Sequence, residues 1–185
     1  MTLKVNFECS KREKVVKNLE LKVPLNDYEG CINELEKMSA RFECELDQID
    51  TYFRVSSGRL KLRQMADCSE LIGYHRTNDQ SSRLSNYQIM PVSNPSILKQ
   101  ILKETLGVRG VVVKKRYLWL LDNTRIHLDF VKDLGQFIEL ETVMQHHSIQ
   151  TATNEHNQIK RRLKICSITP VGESYIDLLI DGFSR

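Results

Sequence analysis

The chain has 185 residues, with 27 Lys and Arg against 24 Asp and Glu and a formal net charge of +3. That length fits one domain, or at most two small ones, and buries a core without disulfide or zinc staples. The near-balance of charge excludes a protein whose main work is coating nucleic acid. A composition of 41% hydrophobic and 28% charged residues excludes disorder along the whole chain.

The opening MTLKVNFECSKREK has no apolar h-region, so no signal peptide is expected. Lys11, Arg12, Lys14 and Lys17 read as a basic lead-in. Residues 17–24 alternate, with Leu19, Leu21 and Val23 on one face and Asn18, Glu20 and Lys22 on the other, which predicts a first strand. Asn26 and Asp27 offer an N-cap to a helix reaching about Ala40, with Tyr28, Cys31, Ile32, Leu35 and Met38 at helical spacing. A hairpin follows: Asp50–Val55, a Ser56-Ser57-Gly58 turn, and Arg59–Met65. Glu70–Arg76 and Ser85–Val92 read as strands around the polar loop TNDQSSR.

Asn94-Pro95 marks a helix start, Gly107 its end, and Ile97, Leu98, Ile101, Leu102 and Leu106 its expected buried stripe. Arg109–Leu120, Thr124–Lys132 and Gln136–Val143 predict a three-strand meander turning at Asp122-Asn123 and Asp133-Leu134-Gly135. QHHSIQTAT reads as a connector, followed by helices over about Asn154–Cys166 and Ser174–Ile180. Eight strands joined mostly by hairpins predict an α+β fold: an eight-stranded antiparallel closed β-barrel (tunnel) with flanking helices. A single domain is expected over residues 1–185: a lead-in over 1–16, tunnel strands with inserted helices over 17–143, and C-terminal helices over 144–185.

No apolar run approaches the ~18 residues of a membrane span, so no membrane partner is expected. The five cysteines (Cys9, Cys31, Cys44, Cys68 and Cys166) are scattered without a C-x-x-C pair, which points to a reducing, cytoplasmic compartment.

The charged residues sort by strand face. Glu20 and Lys22, Lys61 and Arg63, Tyr74 and Arg76, Lys114 and Arg116, Arg125, His127 and Asp129, and Glu139 and Glu141 are each spaced by two. Turned inward, these faces give a lumen holding Lys22, Lys61, Arg63, Arg76, Lys114, Arg116 and Arg125 with Glu20, Asp129, Glu139 and Glu141. Such a lumen cannot be dry, because uncompensated buried charge is too costly. Arg and Lys suit phosphate oxygens, and clustered carboxylates suit Mg²⁺ or Mn²⁺. Polar strand faces on an open sheet satisfy the same periodicity.

In order along the chain, NLELK, QIDTYF, RLKLR, LIGYHR, VVVKKR, RIHLDFV, LGQFIELE and SYIDLL resemble the CYTH superfamily, the triphosphate tunnel metalloenzymes. The closing SYIDLL is similar to the class IV adenylate cyclase-like branch. The resemblance implies an eight-stranded tunnel in which Lys22, Lys61, Arg63, Arg76, Lys114, Arg116 and Arg125 hold a triphosphate. It implies metal ligation by Glu20, Asp129, Glu139 and Glu141, with Glu20, Lys22, Glu139 and Glu141 as the catalytic set. The implied cofactor is Mg²⁺ or Mn²⁺.

The implied activity is hydrolysis of an inorganic or organic triphosphate such as tripolyphosphate, thiamine triphosphate or ATP. A class IV-type cyclase making cyclic AMP and pyrophosphate from ATP is the alternative. A module that binds a phosphorylated ligand without turnover is a further one, and a homodimer is compatible with the resemblance. Two positions depart from the family pattern. Asn18 stands at the first Glu of E-x-E-x-K and carries no charge. Lys61 stands where many relatives have Arg, which keeps charge but loses the fork.

Other motifs have plainer readings. His127 is expected to be a structural histidine, and His146, His147 and His156 are expected in solvent. Lys160, Arg161, Arg162 and Lys164 should form the wet face of a helix packed through Ile159 and Leu163. Trp119 and Tyr117 should pack against a helix.

Overall fold

The computed structural model describes residues 16–75, 83–144 and 148–182. The lead-in before residue 16, Arg76, His146 and His147 lie outside the described residues.

The elements follow the predicted order. β1 (Val16–Pro24), α1 (Tyr28–Lys37), β2 (Arg41–Phe53), β3 (Arg59–Gln64), β4 (Ser69–His75) and β5 (Arg83–Pro91) form the first half. α2 (Pro95–Leu106), β6 (Val108–Leu121), β7 (Thr124–Val131), β8 (Gly135–Val143), α3 (Ile149–Arg162) and α4 (Tyr175–Gly182) complete it.

All strand pairs are antiparallel, in the order β1-β5-β4-β3-β2-β6-β7-β8, and β1 pairs with both β5 and β8, so the sheet closes on itself as expected. The closing seam is short. β5 meets β1 only over Val16–Glu20, whereas β8 meets it over Asn18–Pro24. Beside the rest of β1, the chain ahead of α4 takes over: the Val171 N–H donates to the Lys22 carbonyl at 2.8 Å. Backbone polar groups that a barrel would satisfy with a strand are met there by a loop.

The alternation within each strand divides the molecule into an outer and an inner region. Outside, α1 and α3 cover β1, β7 and β8. Leu21, Val23, Leu35, Ile126, Leu128, Ile138, Leu140 and Ile159 form the core there, with Trp119 at its side. Tyr117 stacks edge-on against Tyr28 of α1, as expected of a residue packed on a helix. Inside, α4 plugs one end: Tyr175 and Ile176 pack with Tyr52, Val112, Val131 and Phe137. Gly110 leaves room for Ile176, since a Cβ there would lie 2.4 Å from Ile176 Cδ1 and push that side chain aside.

The caps act as read from sequence. Asp27 accepts from the Gly30 N–H, Asn94 accepts from the Ile97 N–H with Pro95 beginning the helix, and Gly107 ends α2 at φ 76°.

Four local expectations are corrected. β2 begins at Arg41, nine residues before the predicted Asp50. α3 begins at Ile149 inside the supposed connector, where Ser148 accepts from the Thr151 N–H, and ends at Arg162. α2 buries none of its residues; Ile97 and Ile101 are half exposed. His156 is fully buried, bonded through Nδ1 to Thr142 Oγ1 at 2.9 Å.

Candidate functional site

One cavity of about 280 Å³ occupies the lumen, and its lining includes Glu20, Lys22, Lys61, Arg63, Lys114, Arg116, Arg125, His127, Glu139 and Glu141. Asp129 is fully buried behind this lining. The face-sorting seen in the sequence is therefore a real convergence. It results from side chains spaced by two on strands whose registers align.

The cations form two like-built clusters. In β3, Lys61 Nζ donates to Asp50 Oδ2 at 2.8 Å, while Arg63 Nε and Nη2 grip Asp50 Oδ1 and Oδ2 at 2.8 and 2.9 Å. In β6, Lys114 Nζ donates to Asp129 Oδ2 at 3.0 Å, and Arg116 Nε and Nη2 reach Asp129 Oδ1 and Oδ2, each at 2.6 Å. Each buried aspartate thus serves one Lys and one Arg separated by a single residue. Tyr175 of α4 adds its hydroxyl to Asp129 Oδ2 at 3.0 Å. Its ring lies beneath Lys22 Nζ and Lys114 Nζ, 4.2 and 5.2 Å from the centroid. Lys22 Nζ also donates to the Glu173 carbonyl.

Asp50 was missed in the sequence, although Gln48, Asp50 and Tyr52 share the inward face of β2. Taking Asp50 as the first residue of the strand hid that alternation.

The carboxylates gather next to the cations. The β1–β8 register sets Glu20 opposite Glu141 and Lys22 opposite Glu139, and the β7–β8 register sets His127 opposite Glu139 and Arg125 opposite Glu141. His127, Glu139 and Glu141 each bring one ligand-type atom within 4.8 Å of the others. His127 Nδ1 is buried without a hydrogen-bond partner, 3.9 Å from Glu139 Oε2 and 3.8 Å from Glu141 Oε1. Arg116 Nη2 also bonds Glu139 Oε2 at 2.6 Å, and Arg125 Nη2 lies 3.0 Å from Glu141 Oε2. Asp129 lies outside the three-residue group.

Asn18 is fully buried, and its amide donates to the Tyr87 hydroxyl at 2.8 Å; Arg125 donates to that hydroxyl at 3.0 Å. The uncharged Asn18 amide and the Arg125 guanidinium thus meet on one tyrosine hydroxyl.

Burial shifts these groups, and their neighbours decide the outcome. Burial would raise Glu139, but Arg116, His127 and Lys114 hold it well below the ordinary carboxylate range. Glu141 is likewise lowered against burial, chiefly by Arg125. Burial, then Arg116, pushes His127 down, so its imidazole is neutral and keeps a lone pair. Burial, then Arg63, lowers Lys61 to about 7 despite its aspartate. Burial, then Arg116, also lowers Lys114.

The donor set fits a divalent ion. Two ionised carboxylates and a partnerless buried imidazole nitrogen converge, and a third carboxylate stands across a strand pair where like charges repel.

A CYTH domain family model matches residues 16–175. The chain belongs to the CYTH domain family. No curated protein matches the sequence. Among solved structures, this CYTH chain is similar to the Pyrococcus horikoshii protein PH1012, at 22% identity and TM-score 0.78, over 87% of this chain and 98% of that one. A Vibrio parahaemolyticus protein named as a candidate adenylate cyclase aligns at 14% identity and TM-score 0.70, over 88% and 97%. HpAC1 from Hippeastrum, whose structure is described as revealing a dominant triphosphatase activity, aligns at 14% and 0.65, over 89% and 96%. At these identities the likeness establishes the fold. No helix among the described residues is long and apolar enough to cross a membrane.

Proposed function

We propose that this CYTH domain binds a triphosphate in its lumen and hydrolyses it with the help of Mg²⁺ or Mn²⁺. One observation carries the reading: two buried aspartates share four cations beside a converging His–Glu–Glu group. Lys61 and Arg63 on Asp50, and Lys114 and Arg116 on Asp129, leave positive charge for a polyanion to complete. Family membership supports the same conclusion, and HpAC1 is a neighbour of this fold described as a triphosphatase.

Glu139, Glu141 and His127 would hold the ion, with Glu20 across the β1–β8 pair. When bound, a divalent ion neutralises charge on phosphate oxygens. Lys61, Arg63, Lys114, Arg116 and Arg125 position the phosphates, with Arg76 as a further candidate from sequence. Lys22 joins them once it exchanges the Glu173 carbonyl for a phosphate oxygen. Asp129, expected from sequence as a metal ligand, has both oxygens engaged by Lys114, Arg116 and Tyr175. We assign it instead to aligning those cations. A carboxylate of the acidic group orients a water toward the terminal phosphorus; a bond forms to that water oxygen as the bond from the phosphorus to the bridging oxygen breaks, the diphosphate leaves, and the water's proton ends on a phosphate oxygen or in solvent. Cyclisation of ATP is the second reading, favoured only by the cyclase-like closing SYIDLL. Asn18, which offers no base, is compatible with binding without turnover.

The test is product analysis with tripolyphosphate, thiamine triphosphate and ATP, each with Mg²⁺ or Mn²⁺, beside Glu139→Gln. Orthophosphate from the wild type, reduced on the order of 10²-fold or more in the variant, is expected. Cyclic AMP with pyrophosphate would replace hydrolysis by the cyclase reading. Binding without product would leave the binding module.

A further inference from the structure

A second cavity of about 280 Å³ lies beside the β2–β3 turn, and Arg54, Arg59 and Arg109 all line it. Tyr52 is the one described residue that it shares with the lumen lining. Local structure brings the three arginines together. Arg54 follows the last residue of β2 and Arg59 opens β3, so the hairpin sets both at one end of the sheet. The Arg54 N–H donates to the Gly107 carbonyl at 3.0 Å, which ties that end to the start of β6. There the β2–β6 pairing runs from Tyr52 on Gly110 to Phe53 on Val108, which leaves Arg109 as the extra residue of a bulge. A bulge turns one side chain out of a strand's alternation, and here it re-aims Arg109.

Charge at this cavity is not balanced. Arginine stays cationic, so three guanidiniums around one space repel each other. Asp177 answers two of them: Oδ2 lies 2.8 Å from Arg59 Nη2, and Oδ1 lies 2.6 Å from Arg109 Nη2. Its Oδ2 also accepts from the Ser174 N–H and hydroxyl, which leaves little for a third cation. Among the described residues, the Arg54 side chain makes one hydrogen bond, from Nε to the Val108 carbonyl at 3.3 Å. Both of its Nη groups are left for another acceptor. Three guanidiniums against one carboxylate leave two positive charges. Water alone would serve the exposed Arg54, but the Arg59 side chain is only 12% exposed.

We propose that this cavity is a second anion site, separate from the lumen, which takes a phosphate dianion, either free or as the terminal group of an ester. Arg54 and Arg109 present N–H groups to its oxygens, while Asp177 keeps its own bonds to Arg59 and Arg109. Guanidinium forks match phosphate oxygens, and two negative charges answer the two positive charges left over. Asp177 belongs to α4, so the anion lies against the plug from outside the lumen. The proposal does not depend on the triphosphate reading.

The test is an NMR titration of the protein with inorganic phosphate at fixed ionic strength and about pH 8, with EDTA present, following the arginine Nε–H signals. The Arg54, Arg59 and Arg109 signals are expected to move on one saturation curve. Arg54→Gln, which leaves the Asp177 bonds in place, should raise the midpoint of that curve about fivefold or more. The lumen residues Arg63 and Arg116 should keep their own response in that variant. Methyl phosphate separates the two sources. A midpoint equal to that of inorganic phosphate supports the terminal group of an ester, and one at least about tenfold higher supports the free ion. Three arginine signals that stay still as phosphate is added overturn the proposal without any variant. A midpoint unchanged in Arg54→Gln, or one that shifts equally at Arg63 and Arg116, overturns it too, because the anion would then be held by the lumen alone.

Discussion

Lys61 differs from the other lumen cations in its titration. Burial, with Arg63 beside it, brings its ammonium to about 7. A polyanion alongside would favour the charged form and raise that value. The bound state therefore holds more protons than the free state above pH 7. Triphosphate affinity should fall as pH rises through 7, by at most about tenfold per pH unit. The ligands' own titration contributes too, so the quantity to measure is the difference in slope between wild type and Lys61→Met. Identical slopes would show that Lys61 stays charged in the free protein.

Asp50 governs the same cluster from the other side. Asp50→Asn would leave Lys61 and Arg63 buried without their carboxylate, and removing one partner of such a group costs about 3–5 kcal/mol. A matching drop in denaturation midpoint is expected. An unchanged midpoint would mean that water reaches both cations.

Much of this was legible in the sequence, because charged residues spaced by two can be read without knowing any register. Asp50 was not, since its partners Lys61 and Arg63 lie across a hairpin. The position of His127 between two glutamates was not legible either. It depends on the β7–β8 register, which no single strand encodes.

Among the elements, α3 shows how a titratable residue can hold a helix in place. Ala152, His156 and Ile159 form its buried stripe, and His156 bonds Thr142 of β8. Burial, then Lys160, lowers His156 to about 4, below the ordinary imidazole value of about 6.5. The folded state resists protonation there and the unfolded state does not. The docking contribution is complete above pH 6.5 and is lost as pH falls toward 4. The full span is about 3 kcal/mol. The acid-induced drop in stability should be shallower in His156→Asn than in wild type, by thermal melts from pH 7 to 4. Parallel curves would remove His156 as its source.

The start of this helix was obscured because its first turn, Gln150, Thr151 and Thr153, is polar and reads as a continuation of the connector. β2 was shortened in the reading for a different reason: its pairing with β6 shifts register between Phe42 and Cys44, which breaks the alternation that marks a strand. α2 had a clear apolar stripe and good caps, yet lies with Ile97 and Ile101 half exposed. Periodicity reports which face a helix would bury, not whether a neighbour covers it.

For the molecule as a whole, α4 and the segment before it tie distant strands together. Asp177 receives Arg59 of β3 at 2.8 Å and Arg109 of β6 at 2.6 Å, and its carboxylate also caps the Ser174 N–H at 3.1 Å. These bonds pin the plug that carries Tyr175 into the lumen. The floor on which Lys22 and Lys114 rest is thus supplied by the last described helix.

The closed ring also has a consequence for synthesis on the ribosome. β1 is the first described strand to emerge, yet its partners are β5 and β8. The first of these begins at Arg83 and the second at Gly135. At translation rates of about 5–20 residues per second, β1 waits seconds for its first neighbour and longer for its second. Throughout that interval its alternating apolar face, Leu19, Leu21 and Val23, has no sheet to join. The geometry that returns β8 to β1 leaves the first strand of the nascent chain without its second partner until Gly135–Val143 has been made.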